Sequence, residues 1–105
     1  EVWAKSFEPA GVLSRAGVKV CLTADHDVTP LYYLPTYAEM AARYGMDQIE
    51  ALKAVTLNPA QVLRIDDRKG SLQVGKDADL VVWNAHPFDV TARARHVFIE
   101  GEPIC

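Results

Sequence analysis

Cysteines, long apolar runs and basic clusters are scarce or missing in this 105-residue sequence. Its two cysteines, Cys21 and Cys105, lack a CxxC spacing, so neither a disulfide framework nor a zinc motif is indicated. No apolar run approaches the roughly 18 residues that a membrane-spanning helix needs. The net charge is -3 and no cluster of Lys and Arg stands out. We therefore expect neither nucleic acid nor a membrane surface as a partner.

The remaining composition is that of an ordinary globular domain. Hydrophobic residues make up 50% of the chain and charged residues 24%, and this length fits one modest domain. The first residues carry neither the basic nor the apolar segment of a secretory leader. With so few cysteines, we expect a protein of the reducing cytoplasm.

The hydrophobic periodicity changes at a charged turn over residues 66–70. Before this turn the apolar spacing predicts helices, and after it the alternation predicts strands. Asp47 and Asn58 are each expected to cap a helix, with Pro59 in the first turn of the second. The predicted helices cover about residues 6–16, 35–44, 47–57 and 58–63, and the predicted strands cover residues 71–74, 80–83, 96–99 and 103–104. The apolar run of residues 80–83 predicts a strand buried on both faces or at a sheet interface.

One further strand is predicted ahead of most of the helices, over residues 18–23. Val18, Val20 and Leu22 alternate with other residues, and Asp25 follows where the apolar side chains end. In α/β proteins, catalytic and ligand-binding side chains lie at the carboxyl ends of strands. Asp25 is therefore a candidate catalytic or metal-binding residue, and the alternative is a carboxylate that caps the amides of a solvated turn.

Three stretches carry recognisable motifs. Residues 70–83 read GSLQVGKDADLVVW, residues 56–60 read TLNPA and residues 97–101 read VFIEG. The first resembles the signature G-x-[IL]-x-x-G-x-x-A-D-[LI]-[VI], the second a T-x-N-P-A helix junction, and the third a closing strand and turn. All three are features of the metal-dependent amidohydrolases, and the resemblance is to their imidazolonepropionase-like members. It covers roughly residues 11–104.

The resemblance implies an α/β fold: a (β/α)8 barrel that carries a metal site, plus a small composite β-sandwich. Residues 1–65 would be the C-terminal part of the barrel, with its eighth strand and the following helices. Residues 66–105 would be the C-terminal strands of the sandwich. Such a barrel needs about 250 residues, so the chain is expected to be a fragment of a longer hydrolase.

The resemblance also implies roles for Asp25 and His26. The family has a metal-binding aspartate at the end of strand eight, and Asp25 matches it. That carboxylate would bind a divalent metal, expected to be zinc, and would carry the proton of the attacking water to the leaving nitrogen. His26 resembles the histidine of the family's Asp-His pair and would contact the substrate, although a loop histidine bonded to backbone is equally compatible with its position.

Most of the family's metal ligands have no counterpart in this sequence. The His-x-His of the first strand, the bridging Lys or Glu and two further barrel histidines are missing, and His86 and His96 lack ligand spacing to Asp25. We therefore expect a metal in the intact parent and none in this chain alone, which would be inactive. Asp77 and Asp79, two apart in a turn-to-strand motif, are expected to be structural.

Two classes of function stay open. In the first, the chain is the C-terminal segment of a hydrolase that cleaves an amide or cyclic amide C–N bond of a small molecule, with Asp25 in the active site. In the second, it is a non-catalytic structural module that self-associates. A parallel strand normally has neighbours on both edges and helices on its faces. We therefore expect a homo-oligomer or association with the missing part of a barrel.

Overall fold

A computed structural model describes residues 7–25 and 27–104 of the chain. In chain order it contains the helices α1 (Glu8–Arg15), α2 (Leu34–Arg43), α3 (Gln48–Ala54) and α4 (Leu57–Val62), and the strands β1 (Leu80–Trp83), β2 (Ala94–Ile99) and β3 (Glu102–Pro103). A 3₁₀ turn, Leu31–Tyr33, precedes α2. The predicted order of helices followed by at least three strands is confirmed. In the described part of the chain, every helix is too short or too polar to cross a bilayer.

Two helix starts test the capping predictions. Asp47 caps α3, because its carboxylate accepts hydrogen bonds from the N–H groups of Ile49 at 3.1 Å and Glu50 at 3.2 Å. The prediction for Asn58 is wrong. Helix α4 begins at Leu57 with Thr56 as its N-cap, two residues before the predicted cap at Asn58, which lies inside the first turn. The side chain of Asn58 is therefore not used at the helix end and bonds elsewhere. The cap expected at Ser6 lies outside the described residues.

The helices pack around a core of small side chains. Its buried members are Ala38, Ala41, Met46, Ala51 and Ala54. Val20 and Leu22, from the segment ahead of the helices, are partly buried against this cluster. No large side chain among the described residues is fully buried. The radius of gyration is 14.3 Å, compared with about 13 Å for a compact domain of 100 residues. The chain therefore has a small core and an open shape.

The three strands form one antiparallel sheet in the order β1-β2-β3. Leu80 pairs with Phe98, and a bulge interrupts the register between Val82 and Trp83. The expectation that β1 is buried on both faces is wrong, because Val81 and Val82 are 41% and 44% exposed. The physical reason is that the described residues contain one sheet, so no second layer of strands covers these valines.

Two predicted strands are wrong for this chain. Residues 18–23 and residues 71–74 are not in strands. A strand is stabilised by a hydrogen-bonded neighbour, and neither segment pairs with β1, β2 or β3. The first segment instead bonds to helices, through the N–H of Leu22 and the carbonyl oxygen of Ala54 at 2.9 Å. The alternation of apolar residues was real, but the partner strands it calls for are not among the described residues.

Candidate metal and catalytic site

Asp25 lies at the end of the segment of residues 18–25, where a turn begins. Its carbonyl oxygen accepts hydrogen bonds from the N–H groups of Val28 at 3.0 Å and Thr29 at 2.6 Å. Asp27, inside the turn, has a φ of 84°, a conformation that Asp adopts more readily than most residues. These two amides of the turn thus bond to the backbone of Asp25 and not to its carboxylate. The residue is exposed, so the carboxylate is open to solvent and to ligands.

His26, the predicted substrate-binding residue, lies outside the described residues. Its predicted role stays a prediction. The other two histidines are described. The Nδ1 atom of His86 accepts a hydrogen bond from the N–H of Phe88 at 3.1 Å. The centroids of the His86 and Phe88 rings are 4.9 Å apart. His96 lies on β2, where it pairs with Val82. Both imidazoles therefore belong to the sheet and its connecting loop.

The described residues do not form a complete metal site. No group of three or more His, Cys, Asp or Glu side chains comes together within residues 7–25 and 27–104. A catalytic zinc ion needs three protein ligands and one open position. Asp25 offers one carboxylate, a group whose oxygens can bind zinc. Any metal held by Asp25 would need its remaining ligands from elsewhere.

Asp77 and Asp79 belong to a charged cluster that closes the turn before β1. Asp77 forms ion pairs with Arg68 and Lys69, each at 3.0 Å, and Asp79 also pairs with Lys69. The second oxygen of Asp79 accepts a hydrogen bond from the N–H of Glu100 at 2.8 Å. Hydrogen bonds from Lys69 lower the pKa of both carboxyls. The same hydrogen bonds raise the pKa of Lys69, the bond to Asp79 more than the bond to Asp77. These groups hold the turn together, as a scaffold role requires.

Sequence reasoning missed the contact of Asn58. Its side-chain Nδ2 donates a hydrogen bond to the carbonyl oxygen of Val20 at 2.9 Å, across 38 positions of the chain. Asn58 is 7% exposed and is the only buried polar residue among those described. The N-P pattern suggested a helix start, and no local signal in the sequence indicates a partner so far away. The same contact connects the TLNPA motif to the segment that carries Asp25.

Comparisons with known proteins agree with the motifs. An amidohydrolase structure from Thermotoga maritima MSB8 superimposes with a TM-score of 0.90 at 42% identity, over 94% of this chain and 26% of that one. An imidazolonepropionase from Thermoplasma volcanium is 37% identical over 82 residues, which are 74% of this chain and 20% of the relative. Amidohydrolase tasK from Hapsidospora irregularis is 33% identical over 90 residues, 86% of this chain and 9% of the relative.

The chain thus spans about a quarter or less of the proteins it resembles. The family model described as the amidohydrolase family matches residues 3–105, which is nearly the entire chain. Motifs, fold and comparisons therefore lead to one conclusion: this chain belongs to the amidohydrolase family.

Proposed function

We propose that this chain is the C-terminal segment of a metal-dependent amidohydrolase that hydrolyses an amide or cyclic amide C–N bond, and that Asp25 is its strand-eight aspartate. Residues 1–65 would complete a (β/α)8 barrel, and residues 66–105 would belong to its β-sandwich. The substrate is a small molecule, and the reaction takes place in the cytoplasm. Family membership and the small share of each relative that the chain covers support this proposal.

The observation that carries the proposal is the position of Asp25. The segment before it packs Val20 and Leu22 against the helical core, as a barrel strand packs against its helices. The exposed Asp25 carboxylate follows at the carboxyl end of that segment. Active sites of (β/α)8 enzymes lie at this end of the strands. A carboxylate that merely closed the turn would bond to the turn amides, and the amides of Val28 and Thr29 bond to the backbone carbonyl of Asp25 instead.

A carboxylate in this place has two uses in C–N hydrolysis. It can bind a divalent metal, expected to be zinc, as one of several ligands. It can also accept the proton from the water that attacks the carbonyl carbon and deliver that proton to the departing nitrogen. His26, the next residue, would contact the substrate. The remaining metal ligands would come from the barrel strands that the described residues do not include.

The test compares two carboxylate-to-amide changes in the complete enzyme that carries this segment. Asp25→Asn keeps the shape of the side chain but removes its charge and its basicity, so kcat on an amide or lactam should fall by about 10²- to 10⁴-fold. Asp27→Asn makes the same chemical change two residues away, and Asn tolerates a φ of 84° as well as Asp does. We expect its kcat to stay within a few-fold of the parent.

Melting temperatures of both variants complete this test. A capping carboxylate contributes about 1 kcal/mol of stability and little to turnover. If Asp25→Asn keeps the kcat of the parent and only melts earlier, Asp25 is a structural residue and the proposed catalytic role is wrong.

A second function, a self-associating module without catalysis, is favoured by the apolar surface. Several large hydrophobic side chains are more than 70% exposed: Val28, Tyr32, Leu72, Val74 and Val90. Exposed apolar groups on this scale promote association. Metal analysis and sedimentation of the 105-residue chain distinguish the two functions. A metal-free chain whose self-association disappears when the barrel portion is added supports the hydrolase segment. Stable oligomers that persist when the barrel portion is added support the structural module.

A further inference from the structure

The segment that carries Asp25 is held in place by helices. The N–H of Leu22 donates to the carbonyl oxygen of Ala54 at the end of α3, at 2.9 Å. The carbonyl oxygen of Val20 accepts from the Nδ2 atom of Asn58 in α4, also at 2.9 Å. Two hydrogen bonds, from backbone groups two residues apart, thus attach the segment to two consecutive helices.

The side-chain amide of Asn58 supplies the hydrogen-bond donor that this contact requires. The carbonyl oxygen of Val20 can only accept a hydrogen bond, so the group that faces it must be the NH₂ end of the Asn58 amide. The residue is 7% exposed, and a buried polar group that loses its partner is costly. Aspartate has almost the same shape but would turn an acceptor toward an acceptor. The position therefore requires an amide donor.

The helix that carries Asn58 makes a second close contact, with the backbone at Gly70. A Cβ atom added at Gly70 would lie 2.7 Å from the Cβ atom of Ala60 and 3.1 Å from both the Cα atom of Leu57 and the carbonyl oxygen of Thr56. The backbone of residue 70 therefore lies directly against α4, and its φ of +95° suits glycine. Helix α4 thus contacts both the segment that carries Asp25 and the backbone at Gly70.

We propose that Asn58 is a positioning residue for Asp25. Its side-chain amide fixes the position of the segment of residues 18–25 relative to α3 and α4. That position in turn determines where the Asp25 carboxylate lies in the active site. This inference rests on the proposed catalytic role of Asp25. Displacing a catalytic group by about 1 Å can cost about 10²-fold in rate. The hydrogen bond at Val20, five residues before Asp25, can therefore govern turnover.

The test uses one chemical change at two asparagines of the complete enzyme. Asn58→Asp replaces the donor that faces Val20 by an acceptor. Asn84→Asp is the matched control, because the Oδ1 atom of Asn84 accepts from the N–H of Arg93 at 2.7 Å and a carboxylate can accept that bond equally well. We expect kcat to fall about 10- to 100-fold in Asn58→Asp with KM within a few-fold of the parent. Asn84→Asp should keep both constants.

A structural readout that does not depend on activity comes from amide NMR spectra of the 105-residue chain. In Asn58→Asp, the signals of residues 20–25 should move and the N–H of Leu22 should exchange faster, while the N–H of Ala51 within α3 stays protected. If this variant does not fold, the unchanged chain still tests whether the Asn58 side chain is hydrogen-bonded. The side-chain NH₂ protons of Asn58 should then exchange at least 10-fold more slowly than those of the exposed Asn84.

The outcomes separate this inference from the proposed function. If Asp25→Asn is inactive and Asn58→Asp keeps the kcat of the parent, Asn58 does not position Asp25. The same conclusion follows if the Asn58 side-chain protons exchange as fast as those of Asn84. If Asp25→Asn is fully active while Asn58→Asp still shifts the signals of residues 20–25, the attachment is real but Asp25 is not catalytic. The proposed function then fails, and the positioning role fails with it.

Discussion

The helical and strand regions of this chain are stabilised in different ways. Residues 8–62 contain a core of close-packed small side chains, whereas Ala92 is the only buried hydrophobic residue described after residue 66. The strand region is held instead by turns, by the ion pairs of Lys69 and by backbone hydrogen bonds of its sheet. The helical region therefore has its own core, while the strand region offers apolar faces that another layer would cover.

This difference fits the proposed architecture. Val74 is 105% exposed and Leu72 is 76% exposed, yet both lie in the motif that marks the family. In the proposed β-sandwich, these two apolar side chains would face strands that lie outside the described residues. In the proposed architecture, the strand region would therefore depend on outside partners more than the helical region does.

The largest predicted effect contrasts a buried with an exposed apolar truncation. Met46 is 4% exposed in the helical core, so Met46→Ala should lower the free energy of unfolding by about 2–4 kcal/mol through lost burial and a cavity. Val74→Ala removes a side chain that touches little and should change the same free energy by less than about 0.5 kcal/mol. Urea denaturation of the two variants measures both. Equal losses would contradict the distinction between the two regions.

A second prediction concerns the contact between the regions. Gly70→Ala places a Cβ atom 2.7 Å from Ala60 and keeps a φ of +95°, so we expect a loss of about 2–3 kcal/mol from overpacking and backbone strain together. Gly75→Ala is the control, because its φ is +96° but nothing lies within 4 Å of the added atom. It should cost only the backbone part, about 1–2 kcal/mol. Thermal unfolding of both variants isolates the steric contribution, and identical melting temperatures would show that the contact with α4 is loose.

A smaller effect is expected at the cap of α3. Asp47→Ala removes the acceptor for the N–H groups of Ile49 and Glu50 and should cost about 1 kcal/mol. Asp47→Asn keeps an equally good cap and should leave stability almost unchanged. Chemical denaturation followed by circular dichroism measures the difference. A similar loss in both variants would mean that the charge, and not the hydrogen bonds, matters at this position.

The smallest effect should appear as a pH dependence of the strand region. Hydrogen bonds from Lys69 lower the pKa of Asp77 and Asp79. A lowered carboxyl pKa contributes stability that is present above the unfolded pKa of about 4 and is lost as pH falls through the folded value. The raised pKa of Lys69 contributes stability that is fully present below about pH 10.4 and is lost in stronger base.

The measurement is the melting temperature between pH 7 and pH 2 for the parent and for Lys69→Gln. The parent should lose stability below about pH 4, and the variant should show a shallower decline because its carboxyls lack the lysine. Added salt should reduce the difference, since these groups are close to solvent. Parallel acid profiles would show that the Lys69 cluster does not stabilise the folded chain.

Several features were predictable because their causes are local. The cap at Asp47 depends on residues within three positions. Strands β1 and β2 follow from short apolar runs. The signature of residues 70–83 is recognised from its own glycines and turn residues alone. It therefore indicated the family without any knowledge of distant contacts. The strand predicted over residues 18–23 failed for the opposite reason: a strand requires a partner, and none of the described strands supplies one.

The sequence by itself determined that helices precede the strands of the sheet, the cap at Asp47 and membership in the amidohydrolase family, since each depends on periodicity or on a short motif. Only the tertiary structure decided that Asn58 bonds to Val20 across 38 positions, and that Gly70 lies against Ala60. These contacts depend on how α4 meets the rest of the chain. Two residues far apart in sequence carry no local sign of each other, so folding alone brings the TLNPA motif to the segment that carries Asp25.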